Sequence, residues 1–143
     1  MRWELPQPFE DLDHTADVGV SVEGASPEEA LARLVLAQSA LLAGGAPVAA
    51  AREQRIAVRG GDRAAVAVEC LRELLFVFST RRELAAWCEV QSLVEDGATL
   101  AVGLGHWEPQ RHGEGVDLKA VTWHAARFEA HGGGWRAQVV FDI

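Results

Sequence analysis

The chain has 143 residues, 49% of them hydrophobic and 24% charged, and a formal net charge of −8. A length of this order makes one domain, residues 1–143, with enough chain to bury its own core. The acidic balance lacks the Lys/Arg-rich face that strong direct nucleic-acid binding needs, no apolar run reaches the length of a membrane span, and Met1-Arg2-Trp3-Glu4-Leu5-Pro6 has no apolar signal-peptide segment. A cytoplasmic protein is expected.

Residues 1–8 read as a loop or loose edge, because Pro6 and Pro8 discourage regular structure. Phe9 to Asp13 is a short strand candidate. Val18, Val20 and Val22 alternate with Gly19, Ser21 and Glu23, the period of a half-buried strand. Ser26-Pro27-Glu28-Glu29 predicts a helix start: Ser26 can cap, Pro27 suits the first helical position, and Glu29 completes a capping box. Leu31, Leu34, Val35, Leu41 and Leu42 follow at helical spacing, and Gly44-Gly45 with Pro47 stops the helix.

A short strand is expected over Gln54 to Arg59. A second helix is expected after the Asp62 cap, with Val66, Cys70, Leu71, Leu74, Leu75 and Phe78 as its stripe and Arg81-Arg82 at its C-terminal end. From Ala85 onward the pattern is β. Asp96-Gly97 marks a hairpin, Glu108 to Gly115 a polar loop, Val116 to Ala130 a long strand, Gly132-Gly133-Gly134 a turn, and Trp135 to Ile143 the last strand. The order βαβα followed by a meander predicts an α+β fold of two layers, two helices on a mostly antiparallel sheet, with a parallel pair at the first helix crossover. Cys70 and Cys88 fall at apolar positions without metal-type spacing and read as reduced core thiols.

Three polar clusters could carry chemistry. The first is Asp13-His14-Thr15-Ala16-Asp17, where the carboxylates either shape a turn or act as ligands, and no second His or Cys makes a zinc motif with His14. The second is the chain end, where the Asp142 side chain lies beside the Ile143 carboxylate. Two anions there repel unless solvent screens them or a hard cation with oxygen ligands joins them. The third is His112 to His124. On a continuous strand, Leu118, Ala120, Thr122 and His124 share one face and Lys119, Val121 and Trp123 the other. Lys119 is the only lysine among 13 basic residues, a retention that suits a compact ammonium. Motifs of classical hydrolases and nucleotide-binding loops are absent.

Taken together, Asp13-His14-Thr15-Ala16-Asp17-Val18-Gly19, Leu118-Lys119-Ala120-Val121-Thr122-Trp123-His124 and Phe141-Asp142-Ile143 resemble the archease family, with Trp123 where Tyr is usual. The resemblance covers nearly the whole chain. It implies a protein cofactor, not itself an enzyme, of the GTP-dependent RtcB-type tRNA-splicing ligase, promoting guanylylation and multiple turnover of that ligase. By the same resemblance Asp17 and Asp142, with the Ile143 carboxylate nearby, would bind a divalent cation, Ca²⁺ foremost with Mg²⁺ or Mn²⁺ as alternatives. Lys119 would be the functionally required lysine, and Asp13, His14 and His124 would be supporting residues. Two other readings compete: a metal-dependent enzyme acting on a small phosphorylated substrate, and a general chaperone.

Overall fold

A computed structural model describes residues 1–13, 17–113 and 115–143, Asp13 as backbone only. Among these residues the chain runs β1 (Arg2–Glu4), β2 (Glu10–Asp13), β3 (Asp17–Gly24), α1 (Pro27–Ala43), β4 (Arg52–Arg59), α2 (Arg63–Arg81), β5 (Glu83–Val94), β6 (Gly97–His106), α3 (Pro109–His112), β7 (Ala120–His131) and β8 (Gly134–Asp142).

Local chemistry sets both long helices. Ser26 is extended and its Oγ accepts the Glu29 N–H at 3.1 Å. The Glu29 carboxylate reaches one residue beyond the usual capping box, accepting the Ala25 N–H at 2.8 Å and the Trp3 indole N–H at 3.3 Å. Gly44 closes α1 in the left-handed region at φ 63°, where a missing Cβ removes the steric cost. Asp62 caps α2 through the Ala65 N–H at 2.8 Å. Arg82 ends α2 at φ 53°, its N–H bonded to the Phe78 carbonyl and its guanidinium over the Phe78 and Trp107 rings.

The apolar surface of α1 is not one stripe. Ala30, Leu31, Ala32, Leu34, Val35, Leu36 and Ala37 are all buried, so the helix needs cover on more than one side. Two four-stranded sheets, β1-β5-β6-β4 and β2-β3-β8-β7, supply it. Helix α1 packs on β5 and β3, and α2 on β4 and β7, so each helix touches both sheets. The α+β class stands, but the strands form two sheets with the helices between them. The expected parallel pair is corrected: every pairing among the described residues is antiparallel, and α1 joins β3 to β4 across the two sheets instead of within one.

Other expectations shift more modestly. The N-terminal segment is an edge strand, because Trp3 faces Cys88 across the β1–β5 ladder and packs on the core; Leu5, before a cis peptide bond to Pro6, still donates to the Ala86 carbonyl. The β5–β6 hairpin turns on Glu95-Asp96, with Gly97 already paired to Val94. Gly132 and Gly133 form the last turn, both at positive φ, as a tight hairpin requires. The polar loop from Glu108 contains the short helix α3. The long strand begins at Ala120 instead of Val116 and is interrupted after Thr122.

Cys70 and Cys88 are buried and free. Burial pushes both thiols up, Cys70 to about 12. Neither thiol is therefore expected to react with a thiol reagent in the native protein at pH 7, and both should react after denaturation; native labelling would show that the core opens there.

Two glutamates tie stability to acid. The Ala25 N–H, then Arg33 and the Trp3 indole, hold Glu29 below its ordinary value of 4.5. The Arg52 guanidinium does the same to Glu83 through bonds of 2.8 and 2.7 Å. A depressed folded-state pKa contributes stability that is present above the unfolded value and lost as pH falls through the folded one. Stability should thus decline with acid below about 4.5, and Glu29→Gln should make that decline shallower in denaturant titrations run from pH 5 to 3.

Candidate functional site

The β3–β8 ladder pairs Val18, Val20 and Val22 with Phe141, Val139 and Ala137. All but the half-buried Val18 are buried in the core, so this side of the ladder faces the helices. With a side-chain period of two, that register also sets Asp17 directly opposite Asp142 at the ladder's end. Facing residues in such a ladder have Cα atoms about 4.5–5.5 Å apart. Asp142 in turn faces Ala120 on β7. Asp17 is half-buried, and Asp142 and Ile143 are exposed. Like charges directly opposite one another destabilise a sheet unless something offsets them.

Lys119 arrives at the same end by a chain of backbone bonds. The His112 ring is buried, accepting the Glu108 N–H at Nδ1 (2.8 Å), which leaves Nε2–H to donate to the Pro47 carbonyl at 3.1 Å. Gly115 donates to the His112 carbonyl and lies so close to α1 that a Cβ would meet the Leu42 carbonyl oxygen at 2.1 Å. Val116 donates to the Leu41 carbonyl at 2.9 Å, Leu118 is buried, and the Lys119 N–H donates to the Asp142 carbonyl at 2.8 Å. The lysine is exposed, one residue ahead of β7. It therefore does not share a strand face with Val121, which is buried; the expectation of one continuous strand is corrected here. His112, one of the polar residues of the third cluster, is a fastening for the segment that delivers Lys119.

The supporting residues fare differently. Asp13 pairs by its backbone with Val18, beside the site, while its side chain and all of His14 lie outside the described residues. His124 is exposed in the interrupted part of β7, beyond the Thr122–Val140 rung. It follows Ala120, the rung partner of Asp142, by four residues, so the ladder does not bring it into the Asp17–Asp142 pair. Among the described residues no three or more His, Cys, Asp or Glu side chains gather as a metal cluster. What the end of the sheet offers a cation is oxygen: two facing carboxylates, with the Ile143 main chain next in line.

The model of the archease protein family (MTH1598/TM1083) matches residues 9–143. The chain belongs to the archease family. Over 141 residues it is 30% identical to protein archease of Methanosarcina mazei, covering 94% of this chain and 95% of that one. It is 31% identical to a protein archease-like of Dictyostelium discoideum over 94% of this chain and 93% of that protein. The solution structure of Methanobacterium thermoautotrophicum protein 1598 superposes with a TM-score of 0.73 at 29% identity, over 94% of this chain and 98% of that one. An archease from Thermotoga maritima, described as a possible chaperone, shares the fold with a TM-score of 0.58 at 19% identity, over 99% of both chains. No helix among the described residues is long and apolar enough to cross a membrane.

Two substitutions separate the fastening from the exposed lysine. Lys119→Ala should leave unfolding free energy within about 0.5 kcal/mol of the parent. His112→Ala should cost about 1–3 kcal/mol, because it removes a buried ring together with both of its hydrogen bonds. Equal losses in denaturant melts would contradict this division.

Proposed function

We propose that this archease is a non-enzymatic activator of a GTP-dependent RtcB-type tRNA-splicing ligase, and that it acts through the end of the sheet where Asp17, Asp142 and Lys119 converge. The observation that carries the reading is the cross-strand pairing of Asp17 with Asp142, with the Lys119 N–H bonded to the Asp142 carbonyl. Residues 17 and 142 lie far apart in the sequence, and the β3–β8 register sets them on facing positions at the end of one ladder. Asp17, Asp142 and the Ile143 carboxylate would hold a divalent cation, an all-oxygen donor set that suits Ca²⁺, Mg²⁺ or Mn²⁺ better than zinc. Once bound, the cation would supply a concentrated positive charge for phosphate or nucleotide groups in the partner's active site. Lys119, exposed beside it, adds a mobile ammonium suited to the same anions.

The reading as an enzyme on a small phosphorylated substrate finds less support. A substrate site calls for a concave pocket with polar groups converging on it. The cavity of about 700 Å³ is lined mainly by apolar residues of the N-terminal segment, the end of α1 and β5, and not by Asp17, Lys119 or Asp142.

In a ligation assay with limiting ligase, the parent protein should raise turnover, and Asp17→Ala, Asp142→Ala and Lys119→Ala should return it to the level of the ligase alone while melting like folded protein. Normal stimulation by all three variants would sink the reading and favour a general chaperone. Separately, Ca²⁺ at a hundredfold excess over Kd should stabilise the parent by about 2.7 kcal/mol. Asp142→Asn should lose most of that shift.

A further inference from the structure

Strand β7 breaks register in the middle. Between the rungs Thr122–Val140 and Arg127–Gln138, β7 spends four residues, Trp123 to Ala126, where β8 spends only Val139. Ala125 sits at φ 57°, a left-handed conformation that a residue with a Cβ adopts only at a cost. No glycine or asparagine relieves it. Gln138 holds the excursion instead, its Nε2 donating to the Ala125 carbonyl at 3.0 Å. Bulges of this kind re-aim a side chain, and strained backbone persists where the surroundings hold it.

The re-aimed side chain is Trp123. It is 50% exposed, with the Arg72 guanidinium carbon of α2 5.3 Å from its ring centre, and one helical turn on from Arg72 stands Phe76, 62% exposed. Trp123 lies three residues, or about 10 Å of strand, after Ala120, the rung partner of Asp142. Large aromatic side chains left open beside Arg are the residue types that dominate protein–protein contacts.

We propose that the β7 bulge, braced by Gln138, positions Trp123 as the aromatic anchor by which this protein docks on the same ligase that its acidic end serves. The inference rests on the reading given under Proposed function. Its ground for one partner is continuity: Trp123 follows the Ala120–Asp142 rung by three residues on β7, the edge strand of the same sheet, so a protein that covers this end of β7 and β8 reaches the bulge too. The charges nearby favour a protein over RNA. Glu69 pairs with Arg72 at 3.3 Å, and Glu73 is exposed beside it, so the surface around the indole carries no net positive charge to hold a phosphate backbone.

The test is a titration of the protein into the ligation assay, reading half-maximal concentration and maximal stimulation separately. Trp123→Ala should raise the half-maximal concentration by about tenfold or more while leaving maximal stimulation near that of the parent. Gln138→Leu should raise it several-fold, and Trp123→Phe should recover part of the loss. Lys119→Ala should instead lower the maximum. Melting curves accompany each variant, and Trp123→Ala, a surface change, provides the reading if Gln138→Leu proves unstable. If the parent stimulates and both Trp123→Ala and Gln138→Leu keep its half-maximal concentration, the inference falls while the ligase reading stands. If the parent does not stimulate, both fall. RNA binding by the isolated protein that depends on Trp123 would overturn the choice of partner.

Discussion

The antiparallel register of β3 against β8 is the constraint on which the rest of the structure depends. It runs over eight rungs, from Asp17–Asp142 to Gly24–Trp135, and joins an early strand to the last one. Because side chains alternate, one choice of register does two jobs. It turns Val20, Val22, Val139 and Phe141 toward the helices and sets the two aspartates opposite each other at the ladder's end. A slip by one residue would expose the valines and bury the carboxylates, so the hydrophobic core holds the acidic pair in place.

The helices complete this arrangement from the inside. Helix α1 is buried around much of its circumference and packs on both sheets, and the loops near its C-terminal end reach the site. The Leu41 carbonyl receives the Val116 N–H, the Leu42 carbonyl lies against Gly115, and the Pro47 carbonyl receives the His112 ring. The segment that delivers Lys119 is therefore held at three points against the end of α1 and the loop that follows it, while the lysine stands in solvent. Rigid support under an exposed functional group is the economical way to fix where it starts while leaving its long side chain mobile.

Much of this was legible from residue types alone. Ser26, Pro27, Glu29, Asp62 and Gly44 announce the helix ends through chemistry that acts within a few residues, and the structure places them so. The valine alternation of β3 was equally plain. The convergence of Asp17, Lys119 and Asp142 could be anticipated only through the family resemblance, since nothing local links residue 17 to residue 142. The second sheet was hidden because the extra buried surface of α1 is largely alanine, Ala30, Ala32 and Ala37, which reads as neutral filler in a periodicity. The role of His112 was hidden because its partner, Pro47, is 65 residues away. The bulge in β7 has no signal at all: Ala125 is in the left-handed region without the glycine or asparagine that would advertise it.

The pairing of Asp17 with Asp142 has a consequence in time as well as in space. Two residues 142 − 17 = 125 positions apart form a contact with a large loop-closure cost, and such non-local contacts consolidate late in folding. During synthesis β3 emerges well before β8, so the edge that β8 will pair stays open until that later strand is made. A chain in which β8 is missing or unpaired lacks the acidic pair, and any partner that recognises that pair recognises only a chain in which the two strands have met.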